Sequence, residues 1–582
     1  MRRAGRALRL AAWPLAAVLL LAGCTGVPTS SRPQVVKTLG AAQPSAPAVI
    51  TPQAGADPRS VVTGFLANNA TDDENHSAAR AFLTPAAKNR WADTTVTVVD
   101  NPQVGNFDSA SDSVTVVGRE IGTLDASGVY SPSLQGDGTG AGGVAVRLSF
   151  ALKLIDRQWR IDGLQNGLLI SEGEFEQFYQ QHAVYFYDLA ERHLVPDPRY
   201  SALLDSGLLA NWLMTQMVGG QQGELQGAVS TEVPQGTDPR RVTVTVGSVI
   251  QIEVPGASQL DPEHRNLLAG QVALTLDQVA DRAPMTITDG GRPVSLSQVG
   301  GTQFTAVDFS SALNPPNRLP ELYYVDGGKV LDVRGRPMPG SLGTGAYHLN
   351  SVALATTGAT SGLAVAGTSG PAAAQRLLVG TSAAGLKATV VRGRLSRPAW
   401  VPGHAEVWIG DGSALYRAGV TGVASAVPVT AGSGKVGGRL TAIRLSPEGS
   451  RVAIVITAVD GTAQIWVGAV VRAGGTVRVS NLAPISPQGV AITDVAWNDA
   501  LTLFAIGREI STGEPSVYEV QSDGSRWTSR GIGNLPPPDS ITMAENVVAA
   551  VSAGGTVWEQ RAGSWAGLNA GTTYGTNPVY VE

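Results

Sequence analysis

The side chains that most often do chemistry in proteins are few and far apart in this chain of 582 residues. Its six histidines show none of the spacings typical of metal ligands; they are His76, His182, His193, His264, His348 and His404. The acidic run 72–74 could hold a cation together with His76, although a solvated loop explains it better. The sequence contains no Gly-x-Ser-x-Gly nucleophile elbow. We therefore predict no catalytic residue, no metal site and no cofactor.

Two glycine-containing segments match nucleotide-binding motifs only superficially. Gly138 to Gly143 fit the letters G-x-G-x-x-G, but a strand is predicted to follow, where the motif requires a helix. Gly434-Lys435 lacks the earlier glycine and the following Ser or Thr of a phosphate-binding loop. Four tryptophans could form a platform for sugar rings, but their places in repeated strands favour the core: Trp400, Trp466, Trp497 and Trp558.

The strongest chemical signal lies near the amino terminus. Four arginines within residues 2–9 precede the apolar run Leu10–Leu21, which is the order of a secretory signal peptide. The run is too short to span a hydrocarbon core, which needs about 20 residues. It ends in Leu21-Ala22-Gly23-Cys24, a sequence similar to the bacterial lipobox, and Cys24 is the only cysteine in the chain.

The similarity to a lipobox implies a specific modification of Cys24. Diacylglycerol would be attached to its thiol, the chain would be cut after Gly23, and the new amino group would be acylated. The alternative is a core thiol that follows an ordinary secretory signal. We predict a signal peptide at 1–23, then the lipidated cysteine and a flexible tether at 24–56, rich in Pro, Ser, Thr and Ala. The lipid would hold the protein on the extracytoplasmic face of the cell membrane.

The composition narrows the possible partners and the fold class. The formal net charge is −5, and it becomes more negative once the signal arginines are removed, which argues against nucleic acid. A single cysteine allows no internal disulfide. With 70 glycines, 35 prolines and 43% hydrophobic residues, the chain is expected to form several domains with many turns and short strands.

The first folded segment, 57–182, has the pattern of an α+β domain. Asp57-Pro58 is typical of a helix start, with Asp as the N-cap and Pro in the first turn. From Thr94 the apolar period changes to two, which predicts strands, and the strand Trp159-Arg160-Ile161 is expected to close the set. Helices followed by a curved antiparallel sheet resemble the cone-shaped nuclear-transport-factor-2-like fold.

The second segment, 183–315, is also predicted to be α+β. A strand at 184–187 and another near 193–195 precede a Leu-rich helix at 201–217. A hairpin at 241–254 and a helix that opens at Asp261-Pro262 follow. The turn Asp289-Gly290-Gly291 then joins two strands. This order of elements resembles the GerMN domain.

The third segment, 320–582, is repetitive and predicts an all-β propeller. Five apolar strands recur about every 45–52 residues, which is the range of propeller blades; they are centred on Leu354, Trp400, Leu445, Trp497 and Met543. Each repeat has a large residue on its third strand: Leu378, Tyr416, Trp466, Tyr518 and Trp558. The run 445–453 is close to the Ser-Pro-Asp-Gly phrase of bacterial propellers. The hairpin 322–331 and the late strand 579–581 are expected to complete a sixth blade, with five and seven blades as alternatives.

A lipobox, two α+β domains and a propeller, in this order, resemble the LpqB family of actinobacterial lipoproteins. The resemblance implies a non-enzymatic protein beside the MtrA–MtrB two-component system, which contacts the extracellular part of the MtrB sensor histidine kinase. Its signalling in cell-envelope homeostasis and division would be modulated by this contact. Carried over residue by residue, the family supplies one functional position, Cys24.

Two other functions remain open on the sequence. One is a cell-wall lipoprotein that binds or processes glycan at the propeller mouth; the other is a passive scaffold of the envelope. Carboxylates or histidines that converge at the mouth would favour the first. The loops expected there are mostly Gly, Ser, Thr and Ala.

Overall fold

The computed structural model describes residues 49–71, 74–134, 143–189, 193–313, 321–356, 362–432, 436–487, 489–544, 548–561, 563–568 and 574–582. The predicted signal peptide, Cys24 and most of the tether lie outside these ranges. In the described ranges, none of the helices has the length and apolar character needed to cross a membrane.

The first domain packs short helices on one sheet. Its helices are α1 (Pro58–Ala67), α2 (Ser77–Arg80), α3 (Pro85–Arg90) and α4 (Glu172–Phe178), with a 3₁₀ turn at Glu74–His76. As the sequence predicts, Asp57 caps α1, where its Oδ1 accepts the Ser60 N–H at 3.0 Å. The ring of Phe65 on α1 lies 5.3 Å from Trp91 and 6.0 Å from Phe150, between centroids, so the helix seals the sheet with aromatic side chains.

The sheet of this domain extends further along the chain than the sequence indicated. Its strands are β1 (Val96–Asp108), β2 (Ser113–Leu124), β3 (Tyr130–Pro132), β4 (Val144–Ile155), β5 (Gln158–Gly163) and β6 (Leu168–Ser171). The order is β5-β4-β2-β1-β6, with β3 paired to β2. The expectation that the Trp159-Arg160-Ile161 strand, β5, closes the set was wrong, because β6 and α4 follow it. β6 pairs with β1 in parallel and covers its edge. The nuclear-transport-factor-2-like cone stays a prediction.

The second domain is α+β, as predicted. Its strands are β7 (Gln180–Asp188), β8 (Leu194–Ser201), β9 (Val229–Ser230), β10 (Thr243–Thr245), β11 (Ile250–Glu253), β12 (Met285–Asp289) and β13 (Arg292–Pro293). They form the sheets β8-β7-β9 and β10-β11-β12-β13. Two helices, α5 (Ser206–Gly219) and α6 (Pro262–Asp277), contact each other and β7. Short 3₁₀ helices lie at Gly223–Leu225, Pro239–Arg241, Ala257–Gln259 and Ala306–Ala312.

Helix starts in the second domain follow the capping residues. Asp261 accepts the Glu263 and His264 N–H groups at 3.0 Å each, as the Asp-Pro signal predicts. The prediction that the Leu-rich helix begins at Ser201 was wrong. β8 continues through Ser201, and Asp205 caps α5 by accepting the Leu208 N–H at 2.8 Å.

The third domain is a β-propeller whose described strands form six sheets. The sheets are β15-β14-β37, β16 to β19, β20 to β23, β24-β28-β27-β26-β25, β29 to β32 and β33 to β36. The strands of the first three are β14 (Leu322–Asp326), β15 (Lys329–Asp332), β16 (Leu349–Thr356), β17 (Leu363–Ser369), β18 (Gln375–Thr381), β19 (Gly385–Gly393), β20 (Ala399–Trp400), β21 (Glu406–Asp411), β22 (Ala414–Gly419) and β23 (Ala424–Val427). A short helix, α7, spans Ser341–Thr344.

The remaining strands of the propeller continue in chain order. They are β24 (Val429–Ala431), β25 (Arg439–Leu445), β26 (Arg451–Thr457), β27 (Ala463–Ala473), β28 (Thr476–Pro484), β29 (Val490–Trp497), β30 (Thr502–Glu509), β31 (Pro515–Gln521), β32 (Trp527–Gly531), β33 (Pro538–Ala544), β34 (Val548–Ala553), β35 (Thr556–Arg561), β36 (Ser564–Gly567) and β37 (Thr576–Tyr580). The five strands that the repeat predicted lie at the ends of their sheets, and the large residues lie on the third strands.

Strand β37 closes the ring of sheets. It pairs with β14 in antiparallel fashion, with Leu322 opposite Tyr580 and Tyr323 opposite Val579. It also contacts β33 of the preceding sheet and β16 of the following one. The late strand and the early hairpin therefore belong to one sheet, as predicted, and the carboxyl end of the chain joins the first and last repeats.

We expect that shortening the chain to end at Tyr574 destabilises the propeller, because β14 is left with an unpaired edge that invites aggregation. Calorimetry of the full and shortened chains should show an earlier unfolding midpoint or aggregation on heating. Val579→Asp, at a position 6% exposed, tests the same strand without truncation. It should lower the midpoint by about 2 °C or more, since an unpaired buried charge costs several kcal/mol. Thr576→Asp, at an exposed position of β37, is the control. Equal midpoints for all four proteins would show that β37 does not hold the ring.

Candidate functional site

Much of the chemistry considered in the sequence falls on residues outside the described ranges. Cys24 is one of them, so its lipidation stays a prediction. The same applies to Asp72, Asp73, Gly434-Lys435 and most of the run 138–143. The histidines and the tryptophans are described and can be placed in the fold.

The described histidines do not form a metal centre. His76 lies with its Nδ1 3.0 Å from Asp93 Oδ2, and Arg80 approaches the same oxygen at 3.1 Å. His264 Nδ1 lies 2.7 Å from Asp261 Oδ2, and burial lowers the pKa of His182. Within the described ranges, no three His, Cys, Asp or Glu side chains are placed to hold a metal ion.

The tryptophans considered for a sugar platform pack inside the propeller. Trp400 and Trp497 are 0% and 6% exposed. Their Nε1–H groups donate to the Ala353 and Arg444 carbonyls at 3.0 and 3.1 Å, which ties each strand to the preceding sheet. Trp466 and Trp558 are half-buried against neighbouring apolar clusters. These positions agree with the core interpretation.

Three charged side chains join the innermost strands of the propeller; we call Arg397, Arg444 and Asp494 the inner-strand cluster. Asp494 Oδ2, on β29, accepts a hydrogen bond from Arg397 at 2.7 Å, and Arg444 of β25 lies 3.2 Å away. Asp494 also accepts the Ile541 N–H of β33 at 3.0 Å. Arg397 in turn donates to the Pro578 carbonyl of β37 at 2.8 Å. The Asp494 carboxylate thus links β29 with β25, β33 and the segment before β20, and Arg397 extends the link to β37.

The electrostatics of the inner-strand cluster indicate a structural role. Burial and the neighbouring charge of Arg444 lower the pKa of Arg397 to about 10, and Asp494 opposes this shift. The Asp494 side chain is only 4% exposed. Its charge is matched by two arginines within the protein, which is how buried charges are tolerated. The sequence analysis missed this cluster, although Arg444, Asp494 and Ile541 recur at 50 and 47 residues, the length of a blade.

A second polar contact region lies where the three domains meet, and we call it the junction. At its centre is Arg451, the first residue of β26, which is 0% exposed. Its Nε donates to Glu224 Oε1 of the second domain at 2.8 Å, and its Nη2 donates to the Pro196 carbonyl of β8 at 2.6 Å. Glu448 of the propeller lies 3.3 Å from Nη1. Burial opposes the charged form, but the charges of Glu224 and Glu448 outweigh it and raise the pKa of Arg451.

Further hydrogen bonds cross the junction on both sides of Arg451. Asn481 of β28 donates to the carbonyls of Glu224 and Gln226 at 3.0 and 2.9 Å. Arg526 donates to the Tyr179 carbonyl at 2.8 Å, and its guanidinium lies 5.8 Å from the centre of the Phe175 ring. These contacts fasten the propeller to both preceding domains.

Tyr200 joins all three domains at the junction. It is the penultimate residue of β8 in the second domain, and its hydroxyl pairs with the Ser525 hydroxyl of the propeller. Its ring lies 6.3 Å from that of Tyr130 in the first domain, and its N–H donates to the Gly128 carbonyl at 2.8 Å. Burial and the charge of Asp523 raise the pKa of Tyr200 well above its usual value, so this hydroxyl stays protonated.

The junction encloses a cleft of about 300 Å³. All three domains line it: β3 of the first, the middle of β8 and the 3₁₀ turn of the second, and β27, β28 and the turn after β31 of the propeller. Asp197, Glu224 and Asp523 supply carboxylates, and Tyr130 and Ile485 supply apolar surface. A concave site between domains, with a few polar groups in an apolar wall, is the usual form of a small-ligand pocket.

Two of these three carboxylates are already paired with arginine. Asp197 is fully buried and forms a two-pronged ion pair with Arg199, in which Nη2 lies 2.9 Å from Oδ2. Burial raises the pKa of Asp197, and the Arg199 charge partly reverses this effect. Glu224 is paired with Arg451 at 2.8 Å. Asp523 is instead hydrogen-bonded by Ser525 and Tyr200.

Comparison with known protein families gives three matches that together span most of the chain. The lipoprotein LpqB N-terminal domain matches residues 51–176. The Germane domain of sporulation and spore germination matches residues 183–295. The lipoprotein LpqB beta-propeller domain matches residues 328–581. The GerMN and propeller predictions are confirmed by these matches.

Curated relatives match this chain over most of their length. Lipoprotein LpqB of Cutibacterium acnes is 30% identical over 553 residues, which cover 89% of each chain. The chain belongs to the LpqB lipoprotein family. Lipoprotein LpqB of Rhodococcus opacus is 29% identical over 572 residues, covering 92% of this chain and 91% of the relative. That of Mycobacterium tuberculosis is 28% identical over 468 residues, covering 75% and 76%.

Membership of the LpqB lipoprotein family supports a lipid anchor. The relatives are named lipoproteins. The residues that the fold brings together, in the inner-strand cluster and the junction, were not singled out as sites from the sequence. The junction and its cleft are therefore the candidate functional region of the described chain.

We expect Asp494→Ala to destabilise the propeller by about 3–5 kcal/mol, since it removes the carboxylate to which two largely buried arginines donate hydrogen bonds. Calorimetry of the purified protein measures this as a lower unfolding midpoint. Asp494→Asn keeps a hydrogen-bond acceptor and should lose less. Asp460→Ala, in an exposed turn, is the matched control and should change stability by less than about 0.5 kcal/mol. A midpoint for Asp494→Ala equal to that of this control would show that the cluster is not a clamp.

Proposed function

We propose that this protein is anchored by lipid on Cys24 to the extracytoplasmic face of the cell membrane, where it binds the ectodomain of an MtrB-type sensor histidine kinase. By this contact it modulates kinase signalling in envelope homeostasis and division. Membership of the LpqB family supports the proposal, together with the lipobox at Leu21–Cys24. The observation that carries it furthest is the junction, which joins three domains by buried polar contacts.

A fixed arrangement of domains suits a protein that acts by contact. Residues Ala46–Glu582 form one compact unit. A partner that docks on one domain therefore meets a surface whose position is set by the other two. The composition of residues 24–56 predicts a flexible tether, and a flexible chain of about 30 residues has a root-mean-square span of about 30 Å. A lipid-held protein with such a tether would reach a neighbouring ectodomain at high effective concentration.

The roles of the buried charged groups favour a protein that acts by contact over an enzyme. The charged groups of the inner-strand cluster form ion pairs that hold strands together, and Arg451 forms an ion pair that joins two domains. An enzyme needs an acid, base, nucleophile or metal free to meet its substrate. The alternative of glycan binding at the propeller mouth gains no support from the tryptophans, since the core holds Trp400 and Trp497.

The second domain offers an exposed apolar surface for such a contact. Leu204 and Leu208, at the start of α5, are 41% and 59% exposed. Trp212, one turn further along the same helix, is half-buried. Neighbouring exposed apolar side chains of this kind are typical of protein-binding surfaces. We propose that the kinase ectodomain binds at this end of α5.

Replacing Leu208 by Ser should weaken binding to the purified kinase ectodomain by about tenfold, because a buried Leu contributes about 1.5–3 kcal/mol. Isothermal titration measures the affinity, and the unfolding midpoint should not change because the side chain is exposed. Val423→Ser, at a position 76% exposed on the propeller, is the matched control. Unchanged affinity of the Leu208 variant would exclude this surface. No binding by the parent protein, together with turnover of a cell-wall glycan, would contradict the proposed function itself.

Replacing Cys24 by Ser should abolish lipid attachment, because the hydroxyl of serine does not take the place of the thiol. The variant should leave the detergent phase in partitioning experiments, and mass spectrometry should find either the uncut precursor or a protein without lipid. Thr25→Ser, at the adjacent position, is the control and should partition like the parent. A Cys24 variant that stays in the detergent phase would show that the anchor lies elsewhere.

A further inference from the structure

The propeller contains a long stretch of sequence that has no carboxylate side chain. No Asp or Glu occurs between Asp332 and Glu406, although the whole chain of 582 residues carries 47 of them. This stretch supplies the sheet β16 to β19 and the connection from that sheet to β20. The sheet therefore carries a positive charge, whereas the formal net charge of the whole chain is −5.

Four basic side chains of this stretch are exposed at the outer side of the ring of sheets. Arg376 lies on β18, Lys387 and Arg392 lie on the outermost strand β19, and Arg394 follows that strand. None of the four side chains forms an ion pair or a hydrogen bond with another described residue. Val390, which is 75% exposed, lies between the two cations of β19. We call these four cations and Val390 the basic rim.

The fold places like charges side by side in the basic rim. Arg376 and Arg392 are directly opposite each other on paired strands, and like charges at such positions are destabilising. Asp411 of the next sheet lies against Gly393, where a Cβ atom would be 2.2 Å from its Oδ1. It nevertheless forms an ion pair with neither Arg392 nor Arg394. The arrangement costs stability, and an anionic partner would remove that cost.

The open shape of the basic rim suits an extended array of negative charges better than a small anion. A pocket for a small ligand encloses most of the ligand's surface, whereas these side chains are exposed on the outer strands of a sheet. Lys387 and Arg392 are five residues apart along β19, so the charges extend over about 15 Å.

The side chains of the basic rim favour phosphate groups over an acidic protein. Three of the four cations are arginines, and a guanidinium group binds phosphate through two parallel hydrogen bonds. Protein interfaces depend on aromatic or large apolar anchors, and among the described residues of this sheet only Val390 is both large, apolar and exposed. A membrane that contains anionic phospholipids presents phosphate groups without a need for such anchors.

We propose that the basic rim binds the headgroups of anionic phospholipids, so that the propeller lies against the membrane surface with the sheet β16 to β19. In the ring of six described sheets, this sheet lies opposite β29 to β32, the sheet after whose third strand Ser525 and Arg526 contact the other domains. The membrane contact is thus on the far side of the ring from the junction. It goes beyond the proposed lipid anchor, because it fixes which side of the protein faces the membrane.

The test uses the full mature chain, residues 24–582, with Cys24→Ser, so that no lipid contributes to membrane binding. Sedimentation with vesicles measures the bound fraction, with phosphatidylcholine alone or with one third of it replaced by phosphatidylglycerol. Binding should be about tenfold or more stronger for the anionic vesicles, and NaCl should weaken it because salt screens exposed charges. Equal binding to both kinds of vesicle, or no binding to the anionic ones, would overturn the proposal.

Charge reversal then assigns the binding to the basic rim. Arg376→Glu together with Arg392→Glu should weaken binding to the anionic vesicles about tenfold or more, since each Lys or Arg near an anionic surface changes the affinity about fivefold. Both charges of the facing pair are reversed, so the repulsion between them is unchanged and the unfolding midpoint should stay within about 2 °C of the parent. Lys387→Glu together with Arg394→Glu tests the other two cations in the same way.

Arg478→Glu together with Arg508→Glu is the matched control. Both arginines are exposed, on β28 and β30 of the propeller, and this variant changes the net charge by the same amount. It should bind the anionic vesicles like the parent. Undiminished binding by the variant at Arg376 and Arg392, or an equal loss in the control, would show that the basic rim does not bind the membrane.

Titration with the kinase ectodomain separates this proposal from the proposed function. The variant at Arg376 and Arg392 should keep the parent's affinity for the ectodomain. Loss of that affinity with unchanged vesicle binding would assign the basic rim to an acidic protein and contradict the membrane contact. A parent protein that binds anionic vesicles through the rim but does not bind the ectodomain would support the membrane contact and contradict only the kinase contact.

Discussion

The docking of the second domain on the propeller centres on one buried guanidinium group. Arg451 is completely enclosed, and it can keep its charge only because Glu224 and Glu448 surround it. A buried ion pair contributes little net stability, but loss of one partner costs about 3–5 kcal/mol. The value of such a pair is therefore specificity: the second domain can dock on the propeller only in the register that brings Glu224 and the Pro196 carbonyl to Arg451. A purely apolar interface would allow sliding.

The propeller can carry this contact because its own strands are fixed in two ways. Strand β37 joins the first and last sheets, which closes the ring of sheets. The inner-strand cluster then joins β25, β29, β33 and β37 to the segment before β20, and this places three charged groups largely out of contact with water. Arg444 lies on β25, and Arg451 is the first residue of the next strand, β26. The inner-strand cluster fixes β25, and β25 pairs with β26, so the cluster also helps to fix the position of Arg451.

A polar junction also has consequences for function. The hydrogen bonds of Asn481 and Arg526 reach backbone carbonyls, so they depend on the fold of the partner domain more than on its side chains. Between them the domains enclose the cleft of about 300 Å³, which residues of all three domains line.

Local pattern was sufficient to predict the domains of this protein, and spatial assembly was needed to find its candidate site. The lipobox at Cys24, the Asp261-Pro262 helix start and the blade repeat through Trp400 and Trp497 all depend on neighbouring or regularly spaced residues, which a sequence displays directly. Where a local signal was ambiguous, as at the start of α5, the cap residue Asp205 decided the outcome. The segment 445–453 was recognised only as a propeller phrase. Its Arg451 meets Glu224 across 227 residues of chain, and Tyr200 meets Ser525 across 325. No period or motif relates such partners, because their proximity arises only when separately folded domains pack together.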